Sequence, residues 1–145
     1  MFLATYGDGL TDVPVQAMVE HLEQRKKLAM FLSVRPSINM HVVEADEDGL
    51  VRDIENIRRA RVRINGGFFV LRREVLGLIE PGDELVERPF RQLIDREQLI
   101  AYPYEGFWAA MDTLKDKQYL DSLVASGITP WLSTEPSPAV PEYLA

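Results

Sequence analysis

The chain has 145 residues, 46% of them hydrophobic and 27% charged, with a formal net charge of −7; this fits one folded domain and, without a basic face, excludes a nucleic-acid backbone as the main partner. The absence of cysteine excludes disulfides, zinc–thiolate centres and thiol catalysis. Only His21 and His41 supply imidazoles, far apart in sequence, so a bound metal would be a hard ion held by carboxylates and phosphate oxygens, magnesium or manganese.

Met1 to Ala4 reads as a buried strand, closed by the loop Tyr6-Gly7-Asp8-Gly9. Asp12 and Pro14 mark a helix start, and Val15, Met18, Val19 and Leu22 give an apolar stripe running to about Arg25. Leu28 to Val34 is a second apolar strand, ended by Arg35-Pro36. Strand, helix, strand is the unit that builds a parallel sheet by right-handed crossover. In such a sheet the first strand is expected to be central and covered, so the chain is expected to start inside a fold.

A hairpin follows, His41–Ala45 and Leu50–Ile57 around Asp46-Glu47-Asp48-Gly49. Val62–Leu71 reads as a strand interrupted by Gly66-Gly67, and Glu74–Ile79 and Pro89–Arg96 as short helices. Leu99–Tyr102 is a short strand, and Thr113–Ser126 a long helix stopped by Gly127, with Leu114, Leu120, Leu123 and Val124 on one apolar face. The proline-rich stretch after Trp131 is expected to be loose, dividing the chain into a domain at 1–131 and a tail at 132–145. No internal repeat is present. Together these elements make an α/β domain with a mixed sheet.

Three segments carry polar groups suited to chemistry. Asp8 stands at the C-terminal end of a strand, where open α/β sheets bind ligands. It reads either as a magnesium ligand, with phosphate oxygens and water completing the shell, or as an Asx turn bonding its own backbone. Asn65, beside a glycine pair inside a strand, reads either as a donor and acceptor for sugar hydroxyls or as a local partner of a bulged backbone. Asp112, ahead of the last helix, reads either as its N-cap or as a second carboxylate converging with Asp8 on one metal. Arg58, Arg59, Arg61 and Arg63, with Arg52 upstream, form a basic cluster. On a strand, Arg59, Arg61 and Arg63 would share a face, either a charged edge or a site for a phosphate or an acidic partner. His21 reads as a boundary residue without a role.

In order and spacing, FLATYGDGLTDV, INGGFFVLRREVLGLI and LIAYPYEGFWAAMDTLKDKQYLDSLVASGITPW resemble the glucose-1-phosphate cytidylyltransferases, a family of sugar-1-phosphate nucleotidyltransferases, from Phe2 to about Trp131. The resemblance implies the C-terminal half of a Rossmann-like nucleotidyltransferase fold, with the N-terminal nucleotide-binding half missing. It implies transfer of CMP from CTP to glucose 1-phosphate with release of pyrophosphate. By the family's pattern Asp8 and Asp112 would bind Mg2+, Gly7 would line the substrate site, and Asn65 and Gly66 would meet the sugar.

The family's Glu-Lys-Pro before INGG is replaced here by Glu55-Asn56-Ile57-Arg58-Arg59, and its Gly-rich triphosphate loop has no counterpart. The chain alone is therefore expected to be inactive. Its partners would be a nucleoside triphosphate, a sugar 1-phosphate and either further copies of itself or a complementing N-terminal half. The alternative is a non-catalytic remnant serving as an oligomerisation or binding module. No apolar run approaches the ~20 residues that span a bilayer, and Asp8 interrupts the apolar start, so no signal peptide or membrane partner is expected and the expected location is cytoplasmic.

Overall fold

The computed structural model describes residues 1–38 and 40–133; most of the tail expected to be loose lies outside the described residues. The central element is β3 (Ala29–Val34), whose near-continuous apolar run is buried on both faces. It pairs antiparallel with β6 (Ile64–Leu71) on one side and parallel with β7 (Leu99–Pro103) on the other. The fourth strand, β1 (Phe2–Thr5), pairs antiparallel with β6, giving the order β1-β6-β3-β7.

The crossover reading of the first two strands is therefore corrected. Both run in one direction, but β6 lies between them, so they are not hydrogen-bonded neighbours. Nor is β1 a covered central strand. It is the edge, with Phe2 and Ala4 turned to the core and Leu3 and Thr5 exposed.

Two layers cover the sheet. On one face α1 (Val15–Arg25) buries Met18 and Leu22 against Met30, Leu32 and Val34 of β3 and Val70 of β6. Burying each such side chain contributes about 1.5–3 kcal/mol relative to leaving it exposed. On the other face a 3-10 segment (Arg73–Leu78) and α2 (Arg88–Asp95) bring Val75, Phe90 and Leu93 onto Ala29, Phe69 and Leu71. The loop between them is fastened by Arg88, which bonds the Asp83 carboxylate and the Leu78 carbonyl. The hydrogen bond from Arg88, helped by the Glu80 amide, holds the Asp83 carboxyl below the usual carboxylate range.

The hairpin is present as β4 (His41–Ala45) and β5 (Val51–Asn56). The arginines that follow it are not on a strand, because β6 begins only at Ile64 and residues 57–61 turn. Arg63 instead reaches across to the carbonyls of Ser33 (2.6 Å) and Tyr104 (3.3 Å) and pairs with Glu105, which Arg35 also meets. His21 packs edge-on against Tyr102. Among the described residues, no helix is long and apolar enough to cross a membrane.

Two three-residue strands that the sequence did not announce, β2 (Gly9–Thr11) and β8 (Trp108–Ala110), form a separate antiparallel ribbon. Behind it α3 (Leu114–Ala125) packs Leu120 and Leu123 onto Phe107 and Ala109. Leu114 and Val124, expected on that apolar face, are exposed.

The ribbon is joined to the body by Tyr104, whose hydroxyl donates to the buried Asp12 carboxylate at 2.6 Å. Asp12 thus serves this contact, while the N-cap of α1 is Pro14, with no side-chain cap. Burial first, then the hydrogen bond to Asp12 and its charge, raise the Tyr104 phenol well above its ordinary value of 10.0. Because the folded value exceeds the unfolded one, the stabilisation is complete below pH ~10 and is lost as the pH rises beyond it. Tyr104→Phe is expected to cost about 1–3 kcal/mol at neutral pH, since Asp12 loses a donor. It should also flatten the alkaline limb of stability, which urea denaturation between pH 7 and 11 checks. Unchanged neutral stability together with an unchanged alkaline limb would contradict this role.

Candidate active site

The ends of β2 and β8 bring two separated parts of the chain together. The Cα register pairs Gly9 with Ala110, and one step further the Met111 amide donates to the Asp8 carbonyl at 3.0 Å. Asp112 is therefore one residue from the position opposite Asp8. Both line a pocket of about 330 Å3 together with Tyr6, Gly9, Ile64, Asn65, Gly66, Trp108 and Ala110.

The local alternatives for the two carboxylates are not taken. The N-cap of α3 is Thr113, in a reciprocal capping box with Asp116, which leaves Asp112 free of that duty. Asp8 forms no Asx turn: among the described residues neither carboxylate accepts a hydrogen bond, and both are exposed to the pocket and solvent. Two unneutralised carboxylates on one pocket repel each other unless a cation lies between them. Among the described residues no group of three or more acidic or imidazole side chains is placed to hold a metal, so a cation here would draw its remaining ligands from water and substrate. Magnesium is bound in this way, through one or two carboxylates plus phosphate oxygens.

The opposite wall comes from β6. Its pairing with β3 shifts between Phe69 and Asn65, which marks a bulge at the glycine pair. Gly67 has φ +74°, and a Cβ there would lie 2.7 Å from the Tyr6 ring, so both conformation and space require glycine. Asn65 does satisfy the bulge, its Oδ1 accepting from the Gly67 amide at 3.0 Å. Partial burial raises the Tyr6 phenol above its ordinary value, as do the charges of Glu84 and Asp8, against the pull of the Asn65 side chain. Gly7 sits on the turn before Asp8 and is not among the lining residues. Among the described residues, no lysine or arginine lines the pocket either.

Tyr6, Gly9, Ile64, Trp108 and Ala110 lie in the three segments that carry Asp8, Asn65 and Asp112, but apart from Gly9, which flanks Asp8, they had no site role of their own in the sequence. Trp108 and Ala110 depend on a strand too short to announce itself.

Over 136 residues the chain is 35% identical to the glucose-1-phosphate cytidylyltransferase of Salmonella typhi, a match covering 92% of this chain and 52% of the relative. Identity and coverage are the same for the glucose-1-phosphate cytidylyltransferase of Salmonella typhimurium. A Bacillus anthracis structure described as a glucose-1-phosphate thymidylyltransferase, in complex with sucrose, superposes with a TM-score of 0.57 at 15% identity, over 83% of this chain and 53% of that one. No family model matches. The resemblance to glucose-1-phosphate cytidylyltransferases thus runs through nearly the whole chain, and the chain has part of an α/β nucleotidyltransferase fold with a mixed sheet. It spans about half the length of the curated relatives it matches.

Proposed function

We propose that this chain is the metal- and sugar-phosphate-binding part of a sugar-1-phosphate nucleotidyltransferase. The reaction is transfer of CMP from CTP to glucose 1-phosphate with release of pyrophosphate. The observation that carries this reading is the convergence of Asp8 and Asp112, without hydrogen-bond partners among the described residues, on one pocket beside Asn65 and Gly66. The similarity to glucose-1-phosphate cytidylyltransferases supports the choice of substrates.

Asp8 and Asp112 would hold the ion, and the ladder between β2 and β8 fixes their spacing. Magnesium, when bound, neutralises phosphate charge at the point of transfer. Asn65 has its oxygen engaged by Gly67 and its amide turned to the Tyr6 phenol, so the second amide hydrogen is what it offers to a sugar hydroxyl. The acceptor phosphate is itself the nucleophile, so the chain's task is to place it in line and hold it there.

The described residues lining this pocket include no cation for a triphosphate, so turnover requires a second set of residues. The β1 edge supports a place for them. Among the described residues its outer side carries no strand, and Leu3, Thr5, Val15, Met18, Phe68 and Val70 line an apolar groove of about 250 Å3 beside it. A nucleotide-binding part adding a strand here would cover both groove and edge. The absence of a cation among these lining residues also favours a second reading, a binding module without catalysis.

The test is pyrophosphate release from CTP and glucose 1-phosphate with magnesium. The chain is assayed alone and mixed with the part of the Salmonella typhi relative that lies outside the match. Activity in the mixture and none in either part alone is the expected result. Persistent inactivity of a mixture that forms a stable complex would favour the binding module, and turnover by the chain alone would contradict the need for a second part.

A further inference from the structure

The two walls of the pocket belong to different sheets. Gly9 and Ala110 lie on the β2–β8 ribbon with the two carboxylates at its end, while Ile64, Asn65 and Gly66 lie on β6. Trp108 stands on the ribbon opposite Thr11, and its indole N–H donates to the Gly66 carbonyl at 2.8 Å. The contact leaves no room for a side chain, because a Cβ on Gly66 would come within 3.1 Å of the indole nitrogen and 3.2 Å of Leu32 Cδ2. Two other bonds at the glycine wall do not reach β8. One runs from the Tyr6 amide to the Gly67 carbonyl at 2.9 Å, and one from the Gly67 amide to Asn65 Oδ1 at 3.0 Å.

We infer that Trp108 is a positioning residue that sets the separation between the Asp8–Asp112 pair and the Asn65–Gly66 wall. A sugar phosphate whose phosphate lies at the cation then meets Asn65 with its ring. The inference rests on the sugar-phosphate reading above and adds a residue that acts through the wall, not on the reacting atoms. It also separates two affinities. The cation site is built by the β2–β8 ladder and Asp8 and Asp112, none of which uses the indole N–H. The sugar site needs the distance between walls, which the indole N–H sets from the β8 side, while the Tyr6 amide and Gly9, packed on Phe68, meet the same wall from the Asp8 side.

Trp108→Phe keeps an aromatic ring and removes the donor. Magnesium affinity is expected to stay within about twofold, as the two contacts share no partner. Affinity for glucose 1-phosphate at saturating magnesium is expected to fall about tenfold, the effect of depriving a part-buried carbonyl of its donor. Calorimetric titration of both proteins, first with magnesium chloride and then with glucose 1-phosphate, reads the two effects separately. Equal losses for both ligands, or no loss for either, would overturn the inference. A wild-type chain that takes up magnesium but no glucose 1-phosphate would overturn the sugar-phosphate reading and this inference with it.

Should Trp108→Phe fail to fold, the indole N–H resonance of the wild-type protein replaces it, assigned by comparison with Trp131→Phe, the other of the two tryptophans. It should move when glucose 1-phosphate joins magnesium and stay in place with magnesium alone. A resonance indifferent to the sugar phosphate overturns the inference.

Discussion

Replacing Asp8 or Asp112 by asparagine is expected to abolish stabilisation of the chain by magnesium while leaving the metal-free protein as stable as the wild type or more so. Neither carboxylate accepts a hydrogen bond among the described residues, so the substitution removes no structural contact. It relieves repulsion between two like charges on one pocket. In the wild type, magnesium at 100 times its Kd adds about 2.7 kcal/mol to the folded state, which for a domain of this size raises Tm by roughly 5–10 °C. The variants should show no such rise, and pyrophosphate release in the reconstituted mixture should fall by two orders of magnitude or more, on the order of losing a principal source of charge stabilisation. A magnesium-dependent rise in Tm that survives in both variants would place the ion elsewhere.

Gly67→Ala is the substitution expected to damage the fold of the site most. Its backbone has φ +74°, and the added Cβ would meet Tyr6 Cδ2 at 2.7 Å. The left-handed conformation costs a residue with a Cβ about 1–2 kcal/mol, and forcing atoms into filled space costs about 1–3 kcal/mol more. Gly127, with φ +73° and open space where a Cβ would stand, isolates the first contribution. Urea denaturation should therefore place Gly127→Ala about 1 kcal/mol below the wild type and Gly67→Ala about 2–5 kcal/mol below it. Equal effects would mean that Tyr6 gives way freely and that its packing on the glycine pair does not shape the pocket.

The elements with long apolar patterns were legible in the sequence. The stripe through Met18 and Leu22 gives α1, and the uninterrupted run from Ala29 to Leu32 gives the buried β3. What escaped is set by pairing between distant segments. The insertion of β6 between β1 and β3 is one such case, since periodicity gives a strand's existence but not its neighbours. The β2–β8 ribbon is another. Three residues on each strand are too few for alternation to register, yet this ribbon carries Asp8 and Asp112 to one place. The arginines after β5 alternate as a strand would, but the Arg59 and Ala60 amides donate to the Asn56 carbonyl and the Arg58 amide to Asn56 Oδ1, closing that segment into a turn. The capping box of Thr113 and Asp116 was written in the sequence next to Asp112, and reading it would have released that aspartate from the N-cap role. The motifs of the family carried the candidate residues, and only the fold shows which hydrogen-bond partners each has.

The shared cation is tested most directly by titrating the chain with manganese and counting bound ions by electron paramagnetic resonance. One Mn2+ per chain, displaced by magnesium and absent from both Asp8→Asn and Asp112→Asn, is the predicted result. A chain that binds no manganese, or one whose bound manganese is unaffected by either substitution, would contradict it.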